Sequence, residues 1–148
     1  MTTSTLYPSR FEPILKPTIW GGDKIGLYKD MGNACGQNIG ESWEISGVKG
    51  NVSVVANGHL AGKNLNELIS RYREMFVGES VYQRFGNEFP LLIKFIDARD
   101  DLSIQVHPVK TEMWIIMDCE PGAKLVYGLK DKFSEAAFRK ALENGTAE

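Results

Sequence analysis

Gln105 and His107 stand two residues apart in Leu102-Ser-Ile-Gln-Val-His107, whose alternation predicts a strand. Side chains at i and i+2 of a strand leave from the same face. An amide oxygen and an imidazole can therefore reach one point, and Glu112 follows closely with a carboxylate. Oxygen and nitrogen donors in this mix suit a divalent ion such as zinc. The chain has two histidines, His59 and His107. His59 sits in the turn context Asn57-Gly-His-Leu60 and reads as a surface residue, so a histidine-based centre rests on His107.

Positive charge lies near these donors. Lys94 interrupts the apolar run Pro90-Leu-Leu-Ile-Lys-Phe-Ile96, and a lysine there is costly to bury without a partner. It either snorkels at a sheet edge or faces a cavity that holds an anion. Lys110 precedes Glu112 by two residues, and Ser103 shares a strand face with Gln105 and His107. Two lysines and a hydroxyl beside a metal would make a local site for a phosphorylated ligand. The blander alternative is that Ser103, Gln105 and His107 are simply the wet face of an antiparallel sheet.

The elements that must position these groups fall into three zones. Residues 6–60 are rich in Gly, Pro and Asn, with turns expected at Gly21-Gly22, Gly32-Asn33 and Asn57-Gly58 and short strands at Trp43–Ser46 and Val52–Val55. Residues 63–86 read as a helical insertion. Asn64 is its N-cap, with Glu67 as the capping-box partner and Gly78 as a stop. Leu65, Leu68, Ile69, Tyr72 and Phe76 share one face, and Val81–Phe85 can form another short turn of helix. From Phe89 onward, strands are expected at Pro90–Asp97, Leu102–His107, Met113–Met117 and Lys124–Tyr127. A turn is expected at Pro121-Gly122, and a last helix from an N-cap at Ser134 to a stop at Gly145, with Phe133 and Phe138 as a hydrophobic staple. No repeat, low-complexity stretch or linker interrupts the chain, so residues 1–148 are read as one domain.

Composition narrows the function classes. The chain has 148 residues, 43% hydrophobic and 24% charged, which is enough for a core. A net charge of -2 supplies no general attraction to nucleic acid or to an anionic membrane, so neither is expected as a partner. No apolar run approaches the roughly 18 residues that would span a bilayer. The N-terminal residues show no basic segment followed by an apolar one, so no signal peptide is read there. Cys35 and Cys119 form no CxxC pair and read as reduced thiols of a cytoplasmic protein, with Cys119 in the core.

Five segments carry a resemblance. Trp20-Gly-Gly22, Gly40-Glu-Ser-Trp-Glu-Ile-Ser46, Phe89-Pro-Leu-Leu-Ile-Lys-Phe-Ile-Asp-Ala98, Leu102-Ser-Ile-Gln-Val-His-Pro108 and Lys110-Thr-Glu-Met-Trp114 resemble, in order, segments of the type I mannose-6-phosphate isomerases, most closely the shorter bacterial members. The Leu-Ser-Ile-Gln-Val-His-Pro string followed by Lys-Thr-Glu is the specific part; Trp-Gly-Gly alone would be weak.

The resemblance implies a mainly β, cupin-like jelly roll with a few covering α-helices. It implies one zinc ion, with Gln105, His107 and Glu112 as ligands. Trp20, Lys94, Ser103 and Lys110 match positions that face the substrate: Trp20 is an aromatic at the pocket wall, and the other three face the sugar and its phosphate. Glu44 lies in a signature segment and receives no role. The implied reaction interconverts mannose 6-phosphate and fructose 6-phosphate by moving a proton between C1 and C2 through a cis-enediol. Two departures accompany the likeness. Only Val109 separates Pro108 from Lys110, where the family has a longer loop. The chain also ends at about half the family length, so the family's fourth zinc ligand, a histidine, and its acid–base groups fall outside it. The expected identity is therefore the N-terminal part of a longer isomerase. The alternatives are a non-catalytic cupin-like module that binds a metal or sugar phosphate, and a structural partner completed by another chain.

Overall fold

The computed structural model describes residues 6–32, 36–103, 105, 111–126, 128 and 134–146. These divide into two compact units, one ending at Leu102 and the other beginning at Ser103. In the first unit, β1 (Ile14–Gly22), β2 (Ile39–Ser46) and β3 (Leu92–Ile96) form an antiparallel sheet in the order β1-β2-β3. The register places Lys16 opposite Glu41, and Trp43 opposite Ile14 on one side and Lys94 on the other. Bulges interrupt both ladders. The sheet is the organising layer and the helices are few and short, as the mainly β reading expects. A complete jelly roll has eight strands, of which the described residues supply these three.

Gly21 and Gly22 are expected to mark a turn, but both belong to β1. Their use is steric. A Cβ on Gly21 would strike the backbone carbonyl of Asn38, and one on Gly22 would strike the Asp97 carboxylate. Gly40 serves the same purpose in β2, where a Cβ would meet Thr18 and the Trp20 ring. The expected strand at Val52–Val55 is reduced to isolated bridges from Val54 to Asn64 and from Val55 to Phe11.

Two small apolar clusters hold this unit. Ile25 of α1 (Lys24–Tyr28) packs with Ile39, and Leu15, Met31 and Phe95 close around them. Val55, Leu60 and Leu68 form the second cluster with Leu6, Tyr7, Phe11, Tyr72 and Phe76. Buried Ser46 and Ser53 join the sheet to the helical insertion by hydrogen bonds. The Ser53 hydroxyl accepts from the Ser46 N–H at 2.9 Å, and the Ser53 carbonyl accepts from the Leu65 N–H at 2.8 Å.

The insertion follows its sequence closely at the start. Asn64 and Glu67 form the reciprocal capping box of α2 (Leu65–Tyr72), with bonds of 2.9 and 3.0 Å. Leu65, Leu68 and Ile69 are buried. The continuous helix expected up to Gly78 is broken earlier. Arg73 takes φ +50 and starts α3 (Glu74–Val77), and Gly78, at φ +89, separates it from α4 (Glu79–Phe85). A 2.9 Å bond from the Arg73 guanidinium to the Tyr82 hydroxyl helps hold that break.

The second unit departs most from expectation. Leu102 at the boundary, Ser103, Gln105 and residues 111–126 carry no strand, so the strands read at Leu102–His107, Met113–Met117 and Lys124–Tyr127 are not seen among the described residues. Met113 is 85% exposed, and Ile115, Ile116 and Met117 are also exposed. Apolar alternation can make a strand only where another strand completes the ladder and a layer covers the face. Cys119, expected in the core, is exposed for the same reason. Glu120 to Ala123 forms the expected turn around Pro121-Gly122. α5 (Glu135–Glu143) begins at Ser134, whose hydroxyl accepts from the Ala137 N–H at 3.3 Å, and Gly145 follows its end at φ +65. Phe133 of the expected staple lies outside the described residues.

Candidate functional site

Lys94 has the partner its burial demands. Its ammonium lies 2.6 Å from Glu41 Oε1, and the other oxygen of that carboxylate accepts from Trp43 Nε1 at 2.6 Å. The strands explain the gathering. Glu41 and Trp43 are two apart in β2, and Lys94 of β3 sits opposite Trp43. From β1, the Lys16 ammonium stands 4.8 Å over the Trp43 ring and hydrogen-bonds the Asn51 side-chain oxygen. The Lys94 and Glu41 side chains are 27% and 17% exposed, so water still reaches them.

Glu44 belongs to a separate cluster. Its two oxygens lie 2.6 and 2.5 Å from the Lys29 ammonium at the end of α1, and the buried Ser42 hydroxyl donates to it at 2.6 Å. Lys29 also lies 5.5 Å above the Phe95 ring. This pair fastens α1 to the sheet, which accounts for a signature residue that the sequence leaves without a role.

The other expected site residues are placed as follows. Trp20 sits near the end of β1 with its ring packed beside Gly40, and its carbonyl accepts from the Arg99 and Asp100 N–H groups at 2.9 and 3.3 Å. In the second unit, the Gln105 amide nitrogen donates to the Ser103 hydroxyl at 3.2 Å. That bond engages the nitrogen, and the amide oxygen is the atom a cation would use. Glu112 is exposed, and one of its oxygens accepts from Trp114 Nε1 at 3.4 Å. His107 and Lys110 lie outside the described residues. Among the described residues, no three His, Cys, Asp or Glu side chains gather into a metal-binding group. The structure thus brings together Ser103 with Gln105, and Lys94 with Glu41 and Trp43. Sequence reasoning passed over Glu41 and Trp43. The expected strand begins only at Trp43 and leaves Glu41 outside it; the observed β2 starts at Ile39, so the two side chains, two apart, leave from the same face.

A family model described as phosphomannose isomerase type I, catalytic domain, matches residues 9–136. The chain is 38% identical over 142 residues to the mannose-6-phosphate isomerase ManA of Bacillus subtilis, covering 86% of this chain and 42% of that protein. It is 37% identical over 153 residues to the probable mannose-6-phosphate isomerase GmuF of the same organism, covering 94% and 46%. With the mannose-6-phosphate isomerase of Streptococcus mutans the identity is 39% over 130 residues, covering 79% and 39%. A crystal structure of mannose 6-phosphate isomerase from Bacillus subtilis aligns with a TM-score of 0.49 and 38% identity, covering 62% of this chain and 27% of the other. The chain spans less than half the length of these curated relatives.

Proposed function

The chain belongs to the type I phosphomannose isomerase family, and from that premise we propose that it serves an aldose–ketose isomerisation between mannose 6-phosphate and fructose 6-phosphate. The observation that carries this reading is the family match over residues 9–136, which contains every candidate site residue. A cytoplasmic sugar phosphate is the natural substrate for such a chain. Among the described residues no helix is long and apolar enough to cross a membrane.

A zinc ion fits the chemistry of the donors proposed to hold it, the Gln105 amide oxygen, the His107 imidazole and the Glu112 carboxylate. When bound, zinc supplies Lewis acidity toward the sugar oxygens. The remaining roles belong to the chain. Lys110 and Ser103 offer a cation and a hydroxyl to the phosphate ester. Trp20 provides an apolar wall, and Lys94 donates hydrogen bonds to the sugar. The reaction moves a proton between C1 and C2, and the group that takes it must come within hydrogen-bond reach of that carbon.

A second reading asks only for the lysines and Ser103, which suffice to bind a sugar phosphate without a completed metal site. In that reading the chain binds the sugar phosphate without converting it. Incubation of the chain with zinc and mannose 6-phosphate, followed by assay of fructose 6-phosphate, separates the two. Product formation supports the isomerase. Binding without product supports the module. Absence of both removes the sugar-phosphate reading of this chain.

A further inference from the structure

We propose that Asn144 is a self-modification site, where the Gly145 nitrogen closes on the Asn144 side chain and converts it to aspartate or isoaspartate. The chain holds two Asn-Gly pairs, Asn57-Gly58 and Asn144-Gly145. A glycine after asparagine leaves its nitrogen open to approach, because no Cβ shields it. The two pairs are equals as sequence, and the folded chain separates them.

Asn57 is clamped. Its side-chain oxygen accepts from the Arg10 N–H at 2.7 Å, and its amide nitrogen donates to the Pro8 carbonyl at 3.2 Å. Its own carbonyl accepts from the Tyr7 hydroxyl at 2.6 Å. The Tyr7 ring lies against Gly58, where a Cβ would strike it. The Asn57 side chain can swing onto the Gly58 nitrogen only if residues 7–10 come away from the turn.

Asn144 has no such ties. It is the exposed C-cap of α5, and its side chain makes no hydrogen bond among the described residues. Its ψ of -4 must rotate before a ring can close. Two bonds oppose that rotation, from the Gly145 N–H to the Leu142 carbonyl at 3.2 Å and from the Thr146 N–H to the Ala141 carbonyl at 2.9 Å. Both belong to a helix end, which opens at little cost. Gly145 takes φ +65 there, so the residue that stops the helix is also the one that admits the reaction.

In the reaction the Gly145 nitrogen bonds to Asn144 Cγ and gives up its proton, the Cγ–Nδ2 bond breaks, and the side-chain nitrogen leaves as ammonia. Water then opens the succinimide at one carbonyl or the other. The product carries an added negative charge next to Glu143, at the C-terminal end of α5, where the helix dipole is already negative. The last turn of α5 should loosen as a result.

Incubation of the intact chain at mildly alkaline pH, followed by peptide mass mapping and enzymatic methylation of isoaspartate, tests the assignment. In the folded chain Asn144 is expected to convert at least about tenfold faster than Asn57, whose three hydrogen bonds must first be released. In guanidinium the gap should close. Asn144→Gln should remove the main acidic form that isoelectric focusing resolves from the aged, folded chain. Conversion of Asn57 as fast as Asn144 in the folded chain would overturn the proposal. Conversion of neither there would overturn it too, as would a gap that persists in guanidinium, since the fold would then not set the order. In the converted chain, the last-turn amides of α5 should exchange hydrogen roughly threefold faster. Unchanged exchange would overturn the loosening of the helix.

Discussion

The Asp97 carboxylate accepts a hydrogen bond from the Lys24 backbone N–H at 2.6 Å, closing the first turn of α1 from the residue that follows β3. The Asp23 side chain, next to that helix start, makes no capping bond, so the cap comes from 73 positions away. The same carboxylate fills the space over Gly22. One side chain therefore explains two parts of the family likeness, the second glycine of Trp20-Gly-Gly22 and the aspartate that ends Phe95-Ile-Asp97.

Removing this cap should be measurable. Asp97→Ala is expected to destabilise the chain by about 1–2 kcal/mol, the usual range for a lost N-cap. Gly21→Ala is expected to cost at least as much, roughly 1–3 kcal/mol, because its new methyl meets backbone and not a movable side chain. Urea denaturation midpoints of the two variants check both values.

Burial should separate the ion pairs. Glu44 serves both Lys29 and the buried Ser42, and the Lys29 and Glu44 side chains are 16% and 24% exposed. Glu44→Ala leaves an ammonium and a hydroxyl without their acceptor, and is expected to cost about 2 kcal/mol. Arg139, 71% exposed and paired with Glu135 one turn away, should lose at most about 0.5 kcal/mol on conversion to Ala. Equal effects of the two changes on the melting temperature would refute this ranking.

The helical insertion offers a comparison between a cap and a core. Asn64→Ala removes half of the capping box and should cost about 1 kcal/mol. Ile69→Ala empties a fully buried position and should cost roughly 2–5 kcal/mol. Hydrogen exchange of the α2 amides should show end fraying in the first variant and general loss of protection in the second.

Zinc ligation has its own test, independent of turnover. In the zinc-loaded chain, Gln105→Ala and His107→Ala are each expected to lower the zinc retained after dialysis, read by elemental analysis as metal per chain. A lost ligand typically weakens a metal site by far more than the 10–100-fold of an outer-shell change. Unchanged stoichiometry in both variants would strike Gln105 and His107 from the ligand set.

What could be read in the chain followed from local physics. The capping box of Asn64 and Glu67, the buried stripe Leu65, Leu68 and Ile69, the cap at Ser134 and the turn at Pro121-Gly122 depend on neighbours within a few positions, and each is found. The strands around Trp43 and Lys94 were legible from alternation and β-forming residues, although Leu91 and Ile93 are more exposed than a fully buried strand implies. The run Met113–Met117 shows where such reading fails. Its residues have the composition of a buried strand, yet they are exposed because a ladder and a covering layer are properties of other segments.

By itself the sequence determined the family, the periodic elements and the kinds of donor available for chemistry, because these depend on residue type and near spacing. Only the tertiary structure decided that Glu41 takes up the charge of Lys94, that Glu44 fastens a helix, and that Gly22 yields its space to Asp97. Those facts need residues tens of positions apart to share a few ångströms, and the register and bulges of a folded sheet select which ones do.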